Sequence, residues 1–367
     1  MTATSPRSPR VSGRKRVLFA AITVTLTAVL ALLMLLGVDI YLHGKYQRSA
    51  GVNVWGYRGP VAGRKAAGEF RVAVFGGSSA FGYGVTWDES FPAVLERRLE
   101  ARASRAYKVV NLAYNNEGAY SFKFTMKDYA YLQYDLALLY EGYNDLTGDP
   151  NGPNLSVFRH ESPVFRLTGY LPIFPIVFKE KAAVMRYGGD SGALYRDQAK
   201  TVFRPGLATR TGAEALNAAA AVGQSLERQL GRVSAEPTHH IVDAASTGCK
   251  YPWQEYCRSI LEAVQYSLAY GTRVLVVTQP YEAGDYLRAR HREQQSEMAA
   301  MLVRLFRDDP RVAYVNRGET IEVSDPALSF DRMHLTAAGN ARLAESLVSP
   351  VVAMATGRSP TPGRVEY

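Results

Sequence analysis

From Val17 to Val38 the chain runs for 22 residues without a charged side chain (VLFAAITVTLTAVLALLMLLGV). No other feature constrains the fold as strongly. A helix of that length rises about 33 Å, enough to cross a bilayer core. It also lacks the polar face that a helix on a soluble domain would need. The pattern therefore predicts one transmembrane helix over residues 17–38. Arg7, Arg10, Arg14, Lys15 and Arg16 precede the run, while the residues just after it are less basic. That asymmetry assigns residues 1–16 to a basic cytoplasmic tail and the rest of the chain to the outer side. The competing reading is a cleavable signal peptide. The run is long for one, and LLGVDIYLHG offers no small-residue cleavage site. The expectation is a single-pass signal anchor in the cell membrane with an extracytoplasmic domain.

The formal net charge of +9 has to be read with this topology in mind, because five of the basic residues belong to the flank of the span. No concentrated basic stripe with a recognition motif remains, so nucleic acid is not an expected partner.

Residues 39–69 show no sustained period and read as a stalk or lead-in. A domain spanning 70–350 follows, with 351–367 as a C-terminal tail. Apolar runs at 70–76, 107–113, 135–142, 272–281 and 311–316 predict five strands. Helical patterns separate them: one from Ser90, one long and charged through Leu305, and a closing amphipathic one from Leu335. Strands alternating with helices imply a parallel sheet covered on both faces, with its site beyond the carboxyl ends of the strands. Residues 148–235 interrupt the rhythm and read as an insertion or lid region. Within it, Thr211–Leu230 reads as an Ala-rich helix. LTGYLPIFPIVF (167–178) is apolar but too short and too proline-rich to span a membrane. A buried irregular loop, a lid and a membrane-facing loop all fit it.

GGSSAFGYG (76–84) follows the first strand. A Walker loop needs a lysine that is missing here, and no register of the glycines gives G-x-G-x-x-G. What remains is a serine at a strand end in a glycine-permissive turn. Such a serine needs a base within hydrogen-bond reach. His334 in SFDRMHLTAAG has Asp331 three residues before it, a spacing that lets a carboxylate hold one ring nitrogen and leave the other free. Acyl transfer also needs oxyanion donors. Gly118, after the second strand, offers a backbone N–H. Asn144, in EGYND after the third, offers a side-chain amide.

These four blocks, in this order, resemble the SGNH or GDSL-type hydrolases. The resemblance covers residues 70–346 and implies a flavodoxin-like three-layer α/β/α sandwich on a five-stranded parallel sheet. It implies Ser78 as nucleophile, Asp331 and His334 as the D-x-x-H dyad, and the Ser78 N–H, Gly118 and Asn144 as the oxyanion hole. Gly77 stands where the family usually has Asp. Ser79 adjoins the nucleophile, and the spacing to Gly82 favours Ser78.

The expected activity is an esterase, a serine hydrolase of carboxylic esters that needs no metal or other cofactor. It would remove acyl groups, O-acetyl among them, from a cell-envelope carbohydrate or lipid. An O-acyltransferase on an envelope polysaccharide uses the same residues. A third reading is an inactive domain that binds glycan or a partner protein. In an extracytoplasmic domain Cys249 and Cys257 are expected to pair as a disulfide. The sequence does not specify the oligomeric state.

Overall fold

The computed structural model describes residues 13–49, 51–102, 105–146, 154–178 and 247–357. The Ala-rich segment Thr211–Leu230 and most of the 148–235 region lie outside the described residues.

Helix α1 covers Gly13–Tyr46 and includes the whole uncharged run, none of which is buried against protein. It continues two turns beyond Val38. The predicted stalk thus begins as helix, because Asp39 and His43, one turn apart, are buried against the domain and extend the helix onto it.

Five strands form a single parallel sheet: β1 (Phe70–Gly76), β2 (Tyr107–Asn111), β3 (Leu136–Tyr140), β4 (Arg273–Val277) and β5 (Val312–Val315). Their order is β2-β1-β3-β4-β5. The inner strands β1 and β3 are buried at every position, which is why their sequences run apolar without alternating. The main helices, in chain order, are α2 (Ser78–Phe81), α3 (Phe91–Arg102), α4 (Phe122–Asp128), α5 (Tyr143–Leu146), α6 (Pro163–Thr168), α7 (Gln254–Ala269), α8 (Asp285–Phe306) and α9 (Ala337–Ala355). Helices α3 and α9 pack together on one face of the sheet; α4, α7 and α8 cover the other. The result is a three-layer α/β/α sandwich. Cys249 and Cys257 are joined by a disulfide at the start of α7.

The register aligns the strand ends. Gly76 pairs with Tyr140, Tyr140 with Val277, and Val277 with Val315, so the loops after these strands emerge along one edge. The strand order reverses direction between β1 and β3. In open parallel sheets this is where the crevice lies.

Candidate active site

β1 ends at Gly76, and Ser78 opens the one-turn helix α2 two residues later. At the first helical position no preceding carbonyl takes its N–H. Gly82, in the left-handed region at φ 82°, ends the turn. Gly77 is hemmed in. A Cβ built there would lie 2.0 Å from Asn144 Nδ2, 2.7 Å from Glu141 Oε2 and 2.8 Å from the Glu117 carbonyl oxygen. A side chain at this position would have to displace the Asn144 amide and the Glu141 carboxylate and would crowd the Glu117 carbonyl oxygen.

Ser78 Oγ lies 2.8 Å from His334 Nε2, and His334 Nδ1 lies 2.6 Å from Asp331 Oδ2. The other Asp331 oxygen accepts the Met333 and His334 N–H groups at 3.0 and 2.7 Å. This turn fixes the carboxylate before it meets the ring. Burial pushes the Asp331 carboxyl up, but the hydrogen bonds from the His334 ring and the two backbone donors hold it below its ordinary value. Asp331 and His334 lie beyond the carboxyl end of β5. They occupy a loop between β5 and α9, turned back by Phe330 and Ser329, which both donate to the His334 carbonyl. Ser79, the neighbouring hydroxyl, is buried, and its Oγ has no hydrogen-bond partner among the described residues. The histidine therefore faces Ser78.

Asn144 lies in α5, directly after β3. Its Nδ2 donates to the Glu117 carbonyl at 2.8 Å, leaving a second amide hydrogen beside Gly77 and Ser78. Gly118 follows Glu117; a Cβ there would lie 2.6 Å from Asp145 Oδ1, and the next N–H, of Ala119, donates to Asp145 Oδ2 at 2.9 Å. The loops after β1, β2 and β3 are thus bound to one another around Gly77, Gly118 and Asn144.

Four charged residues carry this arrangement; three of them, Glu117, Glu141 and Arg159, were not picked out from the sequence. Glu141, at the end of β3, accepts the Gly142 and Asn144 N–H groups at 2.9 and 3.2 Å. Burial, and then the nearby Asp145, push its carboxyl well above the usual range; burial does the same for Asp145. Arg159 is fully buried and donates to the carbonyls of Leu112 at 2.6 Å and Gly56 at 2.9 Å, while its Nη1 lies 3.5 Å from Glu117 Oε2. Burial raises the Glu117 carboxyl, and Arg159 opposes that. The one sequence signal was Glu141, a charge at the end of a wholly apolar run. Two aromatic rings were also missed: Tyr83 and Phe330, both about half exposed, flank His334 with ring centroids 4.8 and 5.9 Å away.

Among the described residues no group of His, Cys, Asp and Glu is arranged to hold a metal ion.

No family model and no curated protein matches the sequence. Solved structures that the chain is similar to include a lipolytic-type protein of the G-D-S-L family from Desulfitobacterium hafniense, at 10% identity and TM-score 0.40, covering 76% of this chain and 98% of that one. Another is Est24, a carbohydrate acetylesterase from Sinorhizobium meliloti, at 14% identity and TM-score 0.36, covering 78% and 99%. A third is the acetyl-xylooligosaccharide esterase Axe2 from Geobacillus, at 12% identity and TM-score 0.40, covering 77% and 94%.

Proposed function

We propose that this chain is a membrane-anchored serine ester hydrolase whose domain works outside the cytoplasm, on acyl groups carried by a carbohydrate or lipid of the cell envelope. The observation that carries the reading is the continuous chain from Ser78 Oγ through the His334 ring to the Asp331 carboxylate, at 2.8 and 2.6 Å.

In this reading Ser78 Oγ attacks the acyl carbonyl and its proton passes to His334 Nε2. Asp331 fixes the tautomer and balances the imidazolium that forms. The Ser78 and Gly118 N–H groups and Asn144 Nδ2 receive the oxyanion. His334 then returns its proton to the departing alcohol. Water, activated by the same nitrogen, cleaves the acyl-enzyme and restores Ser78.

The location rests on the uncharged span, the basic residues before it and the disulfide, which suits an oxidising compartment. A carbohydrate as the acyl-bearing substrate is favoured by the Tyr83 and Phe330 rings, which offer flat apolar faces beside the histidine.

Fluorophosphonate labelling of the purified full chain, with the modified peptide mapped by mass spectrometry, tests the reading. The expected result is modification at Ser78 that disappears in His334→Ala. A folded sample that neither labels nor hydrolyses a small acetyl ester would overturn it.

A further inference from the structure

We propose that residues 163–178 form a second membrane contact, seated in the outer interface of the same bilayer that α1 crosses. The proposal rests on the anchor reading above and adds a surface to it.

Asp39 is the first charged residue after the uncharged run. Its Oδ1 accepts the Ile173 and Phe174 N–H groups at 2.8 and 2.6 Å, and its Oδ2 accepts the Tyr170 hydroxyl. One turn later His43 Nε2 lies 3.0 Å from the Leu171 carbonyl oxygen. These bonds fix residues 170–174 beside the helix at the height where the span ends. A span of about 33 Å against a hydrocarbon core of about 30 Å puts Asp39 at the edge of the lipid.

Apart from the exposed Arg166, a cation suited to the headgroup layer, the side chains nearby are the wrong kind for water. Leu167–Phe178 contains no charged residue. Ile176 and Phe178 are 39% and 56% exposed, and Val164 and Leu167 on α6 are 44% and 58% exposed. Aromatic residues ring the same level. Tyr41 on α1 is exposed, Lys45 lies over the Tyr41 and Tyr46 rings, and Trp55 packs beside Gly169. Tyrosine, tryptophan and lysine at the end of a span are the usual anchors of the headgroup layer.

The backbone is equally prepared. Gly169 donates to the Phe165 carbonyl at 2.8 Å, Tyr170 to Thr168 Oγ1 at 3.1 Å and Leu171 to the Val54 carbonyl at 3.0 Å. Pro172 has no N–H to satisfy, and Asp39 takes the next two. Every N–H from Gly169 to Phe174 thus has an internal acceptor. Irregular backbone tolerates lipid only when its polar groups are satisfied within the protein.

The test uses the full chain in phosphatidylcholine–phosphatidylglycerol vesicles, with a nitroxide on one introduced cysteine at a time; the two native cysteines are bonded to each other. Collision with oxygen against a water-soluble nickel chelate reports depth. Labels at Phe178→Cys and Leu30→Cys should both favour oxygen, and one at Tyr270→Cys, exposed on the domain, should favour the chelate. A lipid-like reading at 30 with a water-like or protein-covered reading at 178 overturns the second contact and leaves the anchor standing. A water-like reading at 30 overturns both.

Discussion

Among the described residues, two aspartate–histidine pairs, each formed by positions three or four apart in the sequence, differ in their surroundings. Asp39 and His43 lie one turn apart on α1, both almost fully buried. Asp331 and His334 lie in a loop, with side chains 40% and 13% exposed. In the first pair Nδ1 faces the Val52 carbonyl oxygen at 2.8 Å, Nε2 sits between the Leu171 carbonyl oxygen at 3.0 Å and Asp39 Oδ2 at 3.3 Å, and the carboxylate is also occupied by Tyr170, Ile173 and Phe174. Neither nitrogen has anything to exchange, and the pair holds the helix to the domain. In the second pair one nitrogen meets a carboxylate and the other a hydroxyl that can release a proton. What an Asp–His pair does is decided by the group on the far side of the ring.

Substitutions at the two histidines should separate these roles. His334→Ala is expected to lower kcat for a small ester by about 10⁴-fold or more while leaving the melting temperature almost unchanged. His43→Ala should leave turnover of the folded protein near normal and cost about 3 kcal/mol of stability in detergent, because Asp39 and two carbonyls lose their buried partner. Ester hydrolysis and calorimetry on the same preparations check both. Equal effects of the two substitutions on turnover would refute the distinction.

A smaller loss sharpens the picture of the oxyanion hole. Asn144→Ala should reduce kcat by about 10²–10³-fold with little change in KM, since the donor acts mainly in the transition state. Gly77→Ala should approach the same loss by displacing the same amide. Steady-state kinetics that moved KM instead would place Asn144 in ground-state binding.

The smallest effect concerns pH. Glu141 and Asp145 have carboxyls raised in the fold, so the native state holds protons that the unfolded chain has released. Stability should therefore fall as pH rises from about 4.5 towards the raised values. Asp331, held low, has the opposite sign: its contribution is present above its unfolded value and is lost as pH falls through its folded one. Urea unfolding across pH should show the alkaline-going decline, and Asp145→Asn should flatten it.

Several of these residues were legible beforehand and several were not. The strands stood out because burial on both faces removes polar residues from them, Asp331 and His334 followed from residue type and spacing, and Ser78 was preferred to Ser79 through the family resemblance. The parts played by Glu117, Glu141, Asp145 and Arg159 were not legible. Their roles depend on contacts such as that between Arg159 and Gly56, 103 positions apart, and no local pattern distinguishes a buried charge from a solvated one. Asp39 and His43 were hidden for a related reason. They follow the uncharged run at the start of a stretch without periodicity, and the packed loop at 170–174 and the Val52 carbonyl give them partners.

The crowding at Gly77 also limits the paths by which this sequence can change. Placing an aspartate there in one step would drive its side chain into Asn144 and the Glu141 carboxylate, leaving a protein without its amide donor. The reverse order is open, because shortening Glu141 first would clear part of the space, at the cost of the N–H groups it now holds. The two positions are thus epistatic.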